Sequence, residues 1–208
     1  MPDNSKMKSV VILLSAIFLM VAGAIALIIY LGDSNPEQSD PDRVGGEFTL
    51  QSSRGPVSLS QFRGQVVLLF FGYTHCPDVC PTTMNNVAEA MSQLKNNEQS
   101  RVQPLFITVD PQRDTVKHLA EYVGFFHPKI IGLSGSDADI KRVSERYSVQ
   151  FFKDKTEEIK DGYLVSHTSY LFLINANGEV VDMMSDHTSP IDIAKTVRQL
   201  IPSLGNSE

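Results

Sequence analysis

Cys76 and Cys80 are the only two cysteines in this chain of 208 residues, and they share the run FFGYTHCPDVCP at 70–81. Pro77, Asp78 and Val79 separate them. Compact thiol redox motifs are Cys-x-x-Cys. One further residue lets two sulfurs bracket an ion and still leaves a disulfide within geometric reach. The run FFGY reads as the end of a buried strand and Pro81 as the opening of a helix, so both cysteines fall in a strand-to-helix turn. Sites collect at the carboxyl edge of such strands. The first helical turn adds unpaired N–H groups and a positive dipole end. Both favour thiolates, so both cysteines are expected to ionise below the free value of about 8.5. As mere buried filler, two cysteines would not need prolines on either side and a turn between them.

Two thiolates gain as a chelate from a third donor. Sulfur with imidazole selects Cu(I), Cu(II) or Zn rather than Mg or Ca. Five histidines are available: His75, His118, His127, His167 and His187. His118, between Lys117 and Glu121, is expected on a solvated helix face, and His127 before Pro128 in a structural loop. His75 adjoins Cys76, and neighbours in extended chain point apart, so it is expected to tune the site or touch a partner. His167 precedes an apolar strand, YLFLI. His187 follows Met183 and Met184, a soft-donor grouping that also reads as a strand running into a polar loop. No fourth protein ligand for a closed zinc tetrahedron is evident.

The elements that must position these residues follow from the pattern. Residues 47–51 and 57–59 flank Ser-Ser-Arg-Gly-Pro as a hairpin. Residues 65–73 and 102–109 are continuous apolar runs, as in strands covered on both faces, with Pro104 a mild objection to the second. Helical periodicity marks 81–97, 114–124, 137–147 and 191–201, and short strands are expected at 129–133, 170–174 and 179–183. The last two flank Asn175-Ala176-Asn177-Gly178, a hairpin signal. That order predicts an α/β fold of thioredoxin-like type, with a mixed central sheet and flanking helices.

The remainder of the chain is partitioned. Residues 10–31 read VVILLSAIFLMVAGAIALIIYL without a charge. At about 1.5 Å per residue the run reaches roughly 33 Å, enough for a bilayer core of about 30 Å. It exceeds a signal-peptide core and lacks a small-residue cleavage site. Lys6 and Lys8 precede it, and Asp33, Glu37, Asp40 and Asp42 follow. The expectation is one N-terminal transmembrane helix with 1–9 in the cytoplasm, a flexible tether over 32–44, and one domain over 45–208. This describes a single-pass protein of a bacterial inner membrane facing the periplasm. The net charge of −6 argues against a nucleic-acid partner, and two cysteines exclude a disulfide-framework scaffold.

The run FFGYTHCPDVCP, the later VDPQRDT at 109–115, and a histidine before a strand and a Gly-x-Val hairpin resemble the Sco/SenC family. The resemblance spans about 46–200, and the anchor and tether fit it. It implies a thioredoxin-like, membrane-anchored copper protein of cytochrome c oxidase assembly. It implies that Cys76, Cys80 and the downstream histidine bind one copper, for delivery to the binuclear copper site of oxidase subunit II. A thiol–disulfide reductase role on the cysteine pair of that subunit, or on another exported protein, is also implied. Family members often carry Asp-His-Thr or Asp-His-Ser at the ligand. Those letters occur here at Asp186-His187-Thr188, whereas Ser166 precedes His167. The strand and hairpin that follow select His167, and the missing carboxylate removes one means of orienting its imidazole.

In DPQRDT, Asp114 is expected to cap a helix beginning near Thr115, Arg113 to pair with an acid, and the loop to shape the mouth of the site. Asp78 is expected to face outward toward a partner. A thiol peroxidase would need Thr-x-x-Cys, whereas Thr74 lies only two residues before Cys76.

Overall fold

The computed structural model describes residues 14, 15, 17–23, 44–154 and 162–201. The chain divides into two compact units, Met1–Arg43 and Val44–Glu208. In the first, the described residues are helical and exposed. Among the described residues no helix is long and apolar enough to cross a membrane. Most of the expected anchor at 10–31, the cytoplasmic segment 1–9 and nearly all of the tether at 32–44 lie outside them.

The second unit opens on an antiparallel hairpin, β1 (Thr49–Ser52) and β2 (Gly55–Ser58). A single turn of 3₁₀ helix, Leu59–Phe62, leads into β3 (Val66–Gly72). Every residue of β3 is buried, so both faces of the sheet are covered there. α1 (Val79–Gln93) follows, then a one-turn helix at Asn96–Gln99 and β4 (Val102–Thr108). Next come α2 (Val116–Phe126), β5 (Ile131–Leu133) and α3 (Asp137–Arg146). A second hairpin pairs β6 (Phe151–Asp154) with β7 (Leu164–His167). β8 (Tyr170–Ile174), β9 (Val180–Ser185) and α4 (Pro190–Leu200) close the unit.

The central sheet has the order β5-β4-β3-β8-β9. β3, β4 and β5 run parallel, while β8 and β9 are antiparallel to their neighbours. This is the mixed thioredoxin-like arrangement expected. Pro104 is tolerated within it. Val109 N donates to Gly72 O, so odd-numbered residues of β4 turn their N–H groups to β3. Pro104 therefore faces the β5 side, where pairing begins only at Leu105 opposite Ile131.

Three helix starts carry sequence-legible caps. Thr115 Oγ1 accepts from His118 N, Ser136 Oγ from Asp139 N, and Ser189 Oγ from Asp192 N. The cap of α2 is thus Thr115 and not Asp114, whose carboxylate is buried and engaged elsewhere. α1 begins two residues earlier than expected, which places Cys80 inside its first turn with Pro81 next. Proline costs nothing there, because that N–H has no intrahelical partner. The helix stops at Leu94, whose extended backbone (φ −82°, ψ 144°) separates it from Asn96–Gln99. In the core Phe172 packs edge-to-face on both Phe71 and Tyr147, which are tilted on each other, and Tyr147 donates to Gly46 O.

Candidate metal centre

β3 ends at Gly72, and the chain turns through Tyr73–Thr74–His75 before Cys76. Cys76 is half-buried and Cys80 is buried, and both are free thiols. Glycine at 72 is a steric requirement. A Cβ there would lie 2.8 Å from Cys80 Sγ, 2.9 Å from Phe70 Cε1 and 3.0 Å from Phe106 Cε2. The backbone of α1 then serves the upper sulfur, with Cys80 N donating to Cys76 Sγ at 3.4 Å.

His167 ends β7 and faces the two sulfurs. Its Nε2 lies 3.5 Å from Cys80 Sγ, and the donor atoms of Cys76, Cys80 and His167 all lie within 4.8 Å of one another. The orientation of the ring is set from behind. Nδ1 is 3.0 Å from the carbonyl of Thr168. A carbonyl only accepts, so Nδ1 donates there and Nε2 is the ring atom turned to the sulfurs. Phe70 and Tyr73 pack edge-on against the imidazole at 6.2 and 5.9 Å between ring centres. A backbone carbonyl thus does here what a neighbouring carboxylate does elsewhere, with Ser166 instead donating to Asp154.

The two thiols diverge electrostatically. Hydrogen bonding from Cys80, joined by His167 and by the backbone N–H groups of Cys80 and Asp78, outweighs partial burial and pulls Cys76 down to about 4. The same bond to Cys76, then burial and the Cys76 charge, push Cys80 up. The expectation of two lowered thiols therefore holds for Cys76 alone. The pair keeps one proton, on the buried sulfur.

Of the other histidines, none joins this cluster among the described residues. His75 is 3.1 Å from Thr74 Oγ1 through Nδ1. His118 is exposed on its helix but its Nε2 reaches the same hydroxyl at 3.0 Å, so it is tied down rather than simply solvated. His127 is structural, its Nδ1 accepting from Lys129 N. His187 stands 86% exposed beside Asp186. Asp78 is exposed, as expected.

Two groups escape sequence reading. Tyr73 is 2% exposed, accepts from Val165 N at 3.3 Å and packs on His167, so it braces β7 from inside. The hairpin β6–β7 is the other. Its strands are short and do not alternate, and no local signal marks them.

A family model described as SCO1/SenC matches residues 36–202. The chain belongs to the SCO1/SenC family. An SCO2-like protein of Rickettsia felis is 33% identical over 203 residues, 93% of this chain and 98% of the relative. The mitochondrial SCO2 homolog of Bos taurus is 42% identical over 156 residues, 74% of this chain and 58% of that protein. The crystal structure of Arabidopsis thaliana ScoI with copper bound matches with a TM-score of 0.70 at 38% identity, covering 76% of this chain and 98% of that one. Within the SCO1/SenC family, copper is therefore a ligand seen on a closely similar backbone. Here two sulfurs and an imidazole converge on one point, a donor set suited to a soft or borderline ion.

Proposed function

We propose that this protein is a copper chaperone that holds one copper through Cys76 Sγ, Cys80 Sγ and His167 Nε2. It passes the ion by ligand exchange to the binuclear copper site of cytochrome c oxidase subunit II. The observation that carries this reading is the convergence of His167 Nε2 with the two sulfurs, the three donor atoms lying within 4.8 Å of one another. Three donors leave an open side, and Cys76 is the more exposed of the two sulfurs, so an incoming ligand from a docked partner meets it first. Copper on the related Arabidopsis protein supports the choice of ion.

The charge-free run at 10–31, basic before and acidic after, supports a single-pass anchor in a bacterial inner membrane. Residues 1–9 are then cytoplasmic, 32–44 a tether, and 45–208 a periplasmic domain. Trypsin applied to intact spheroplasts should remove that domain. Its protection would refute the orientation.

The decisive experiment is copper titration of the full chain in detergent, reduced and oxidised, beside His167→Ala. One copper per reduced chain, lost on oxidation and weakened in the variant, is the expected result. Equal copper binding by His167→Ala would overturn the ligand set.

A second reading rests on the asymmetry of the thiols. Cys76 as thiolate attacks a partner disulfide and releases one partner thiolate. Cys80 then attacks the mixed disulfide, gives its proton to a partner sulfur and closes the 76–80 disulfide. Two electrons pass to the partner, and His167 is dispensable. Rapid reduction of a disulfide substrate by copper-blind protein would favour this reading.

A further inference from the structure

Asp110 and Asp114 are both fully buried, lie in the one loop between β4 and α2, and belong to no metal cluster among the described residues. Burying a carboxylate is costly unless it is paired and hydrogen-bonded. Each is satisfied by a different segment, and those segments are the two that carry the sulfurs and the imidazole.

Asp114 holds the cysteine turn. Its Oδ2 accepts from Thr74 N at 3.0 Å and its Oδ1 from Thr74 Oγ1 at 2.6 Å. Asp110 holds the histidine hairpin. Tyr163 OH donates to both of its oxygens at 2.8 and 3.0 Å, and Lys153 Nζ on β6 lies 3.4 Å away. Arg113 completes the grip. Its Nε donates to Asp110, its Nη1 to Tyr163 O at 3.1 Å, and its guanidinium lies 3.8 Å over the Tyr163 ring. Thr108 links the two acids, donating to Asp114 Oδ2 at 2.7 Å and accepting from Asp110 N at 2.9 Å.

We propose that Asp110 is a positioning residue for the copper site: through Tyr163, Lys153 and Arg113 it docks the hairpin that brings His167 to the sulfurs, while Asp114 independently sets the cysteine turn. The loop is thus a ruler between imidazole and thiols, built from two buried acids that touch neither. β6 and β7 form a sheet of their own, outside the central one, so the ladder of the core does not fix their position. The Asp110 network, beside the Tyr73 hydroxyl on Val165 N, supplies what that ladder does not. This inference rests on the copper reading for its functional meaning, and its geometry is testable without metal.

The test compares Asp110→Asn, Tyr163→Phe and Thr74→Val in the full chain. Tyr163→Phe keeps the ring under Arg113 and removes only the hydroxyl, so it decides the matter if Asp110→Asn does not fold. In the metal-free reduced protein, NMR should show the His167 Nδ1 proton exchanging with solvent faster in the Asp110 and Tyr163 variants, with ring contacts to Phe70 and Tyr73 weakened. Thr74→Val should leave that proton protected and instead alter the alkylation rate of Cys76. Copper affinity should fall about 10- to 100-fold in Tyr163→Phe, the range for groups that orient a ligand, with thiol–disulfide exchange changed less than twofold. Wild-type protection of His167 in Tyr163→Phe would overturn the proposal, as would equal loss of thiol exchange and imidazole order. If His167→Ala itself binds copper as wild type does, the chaperone reading fails, and the imidazole exchange data still judge the positioning role.

Discussion

Gly72 lies directly beneath Cys80, so closely that a single methyl group on its Cα would sit 2.8 Å from the sulfur. The last residue of β3 and the second residue of α1 are packed on each other with no room for a side chain between them. The glycine of FFGY is therefore part of the site.

Gly72→Ala should push Cys80 out of line with His167. Overpacking of this kind costs about 1–3 kcal/mol. Chemical denaturation should show that loss, and copper competition should show a weaker site. Unchanged stability and affinity would mean that α1 can shift freely, against the packing seen.

Cys76 should react with iodoacetamide at a nearly constant rate from pH 8 down to pH 5, falling only toward about 4. Cys80, pushed the other way, should react slowly throughout. Mass spectrometry of reduced, metal-free protein separates the two sites. A rise for Cys76 centred near the free thiol value of about 8.5 would contradict the assignment.

The same shifts predict a pH profile of stability. Cys76 is lowered in the folded state, so its contribution is complete above the unfolded thiol value and fades as pH falls toward about 4. Cys80 is raised, so its contribution is present below the unfolded value and is lost as pH rises above it. Relative to a Cys76→Ser/Cys80→Ser variant, the reduced protein should be most stabilised near about pH 8.5. Urea midpoints from pH 4 to 10 test this, and a monotonic difference would refute it.

His187→Ala should leave copper binding and the sulfur-to-Cu(II) charge-transfer band intact, whereas His167→Ala should abolish the band. His187 is exposed beside Asp186, while His167 alone among the histidines joins the sulfurs among the described residues. The reverse result would transfer the ligand role to His187.

Thr115→Ala should cost about 1 kcal/mol as the loss of a helix cap. Copper affinity should be unchanged, since Thr115 serves α2 and Asp114 serves the cysteine turn. A large fall in copper affinity would show that the two roles are not separable.

Much of this was legible in the sequence because it is written locally. Continuous apolar residues mark β3, the run NANG marks the turn between β8 and β9, and Ser189-Pro190 opens α4. The cysteine pair announces itself by spacing. What was illegible depends on distant partners. Asp114 and Thr115 are both good caps by type, and only the burial of Asp114 against Thr74 and Thr108 decides between them. His118 reads as solvated until Thr74, 44 residues away, is seen beside it. The hairpin β6–β7 has no pattern of its own, because Asp110 and Tyr73 dock it from other elements.

Cys80 and His167 are 87 residues apart in the chain, and β8, which follows His167, pairs with β3, which precedes the cysteines. Bringing such remote segments together is the slow, entropically expensive part of folding. A growing chain therefore presents both sulfurs long before the nitrogen that accompanies them. The three donors are consequently complete only in the folded unit, and until then the two thiols stand without their imidazole.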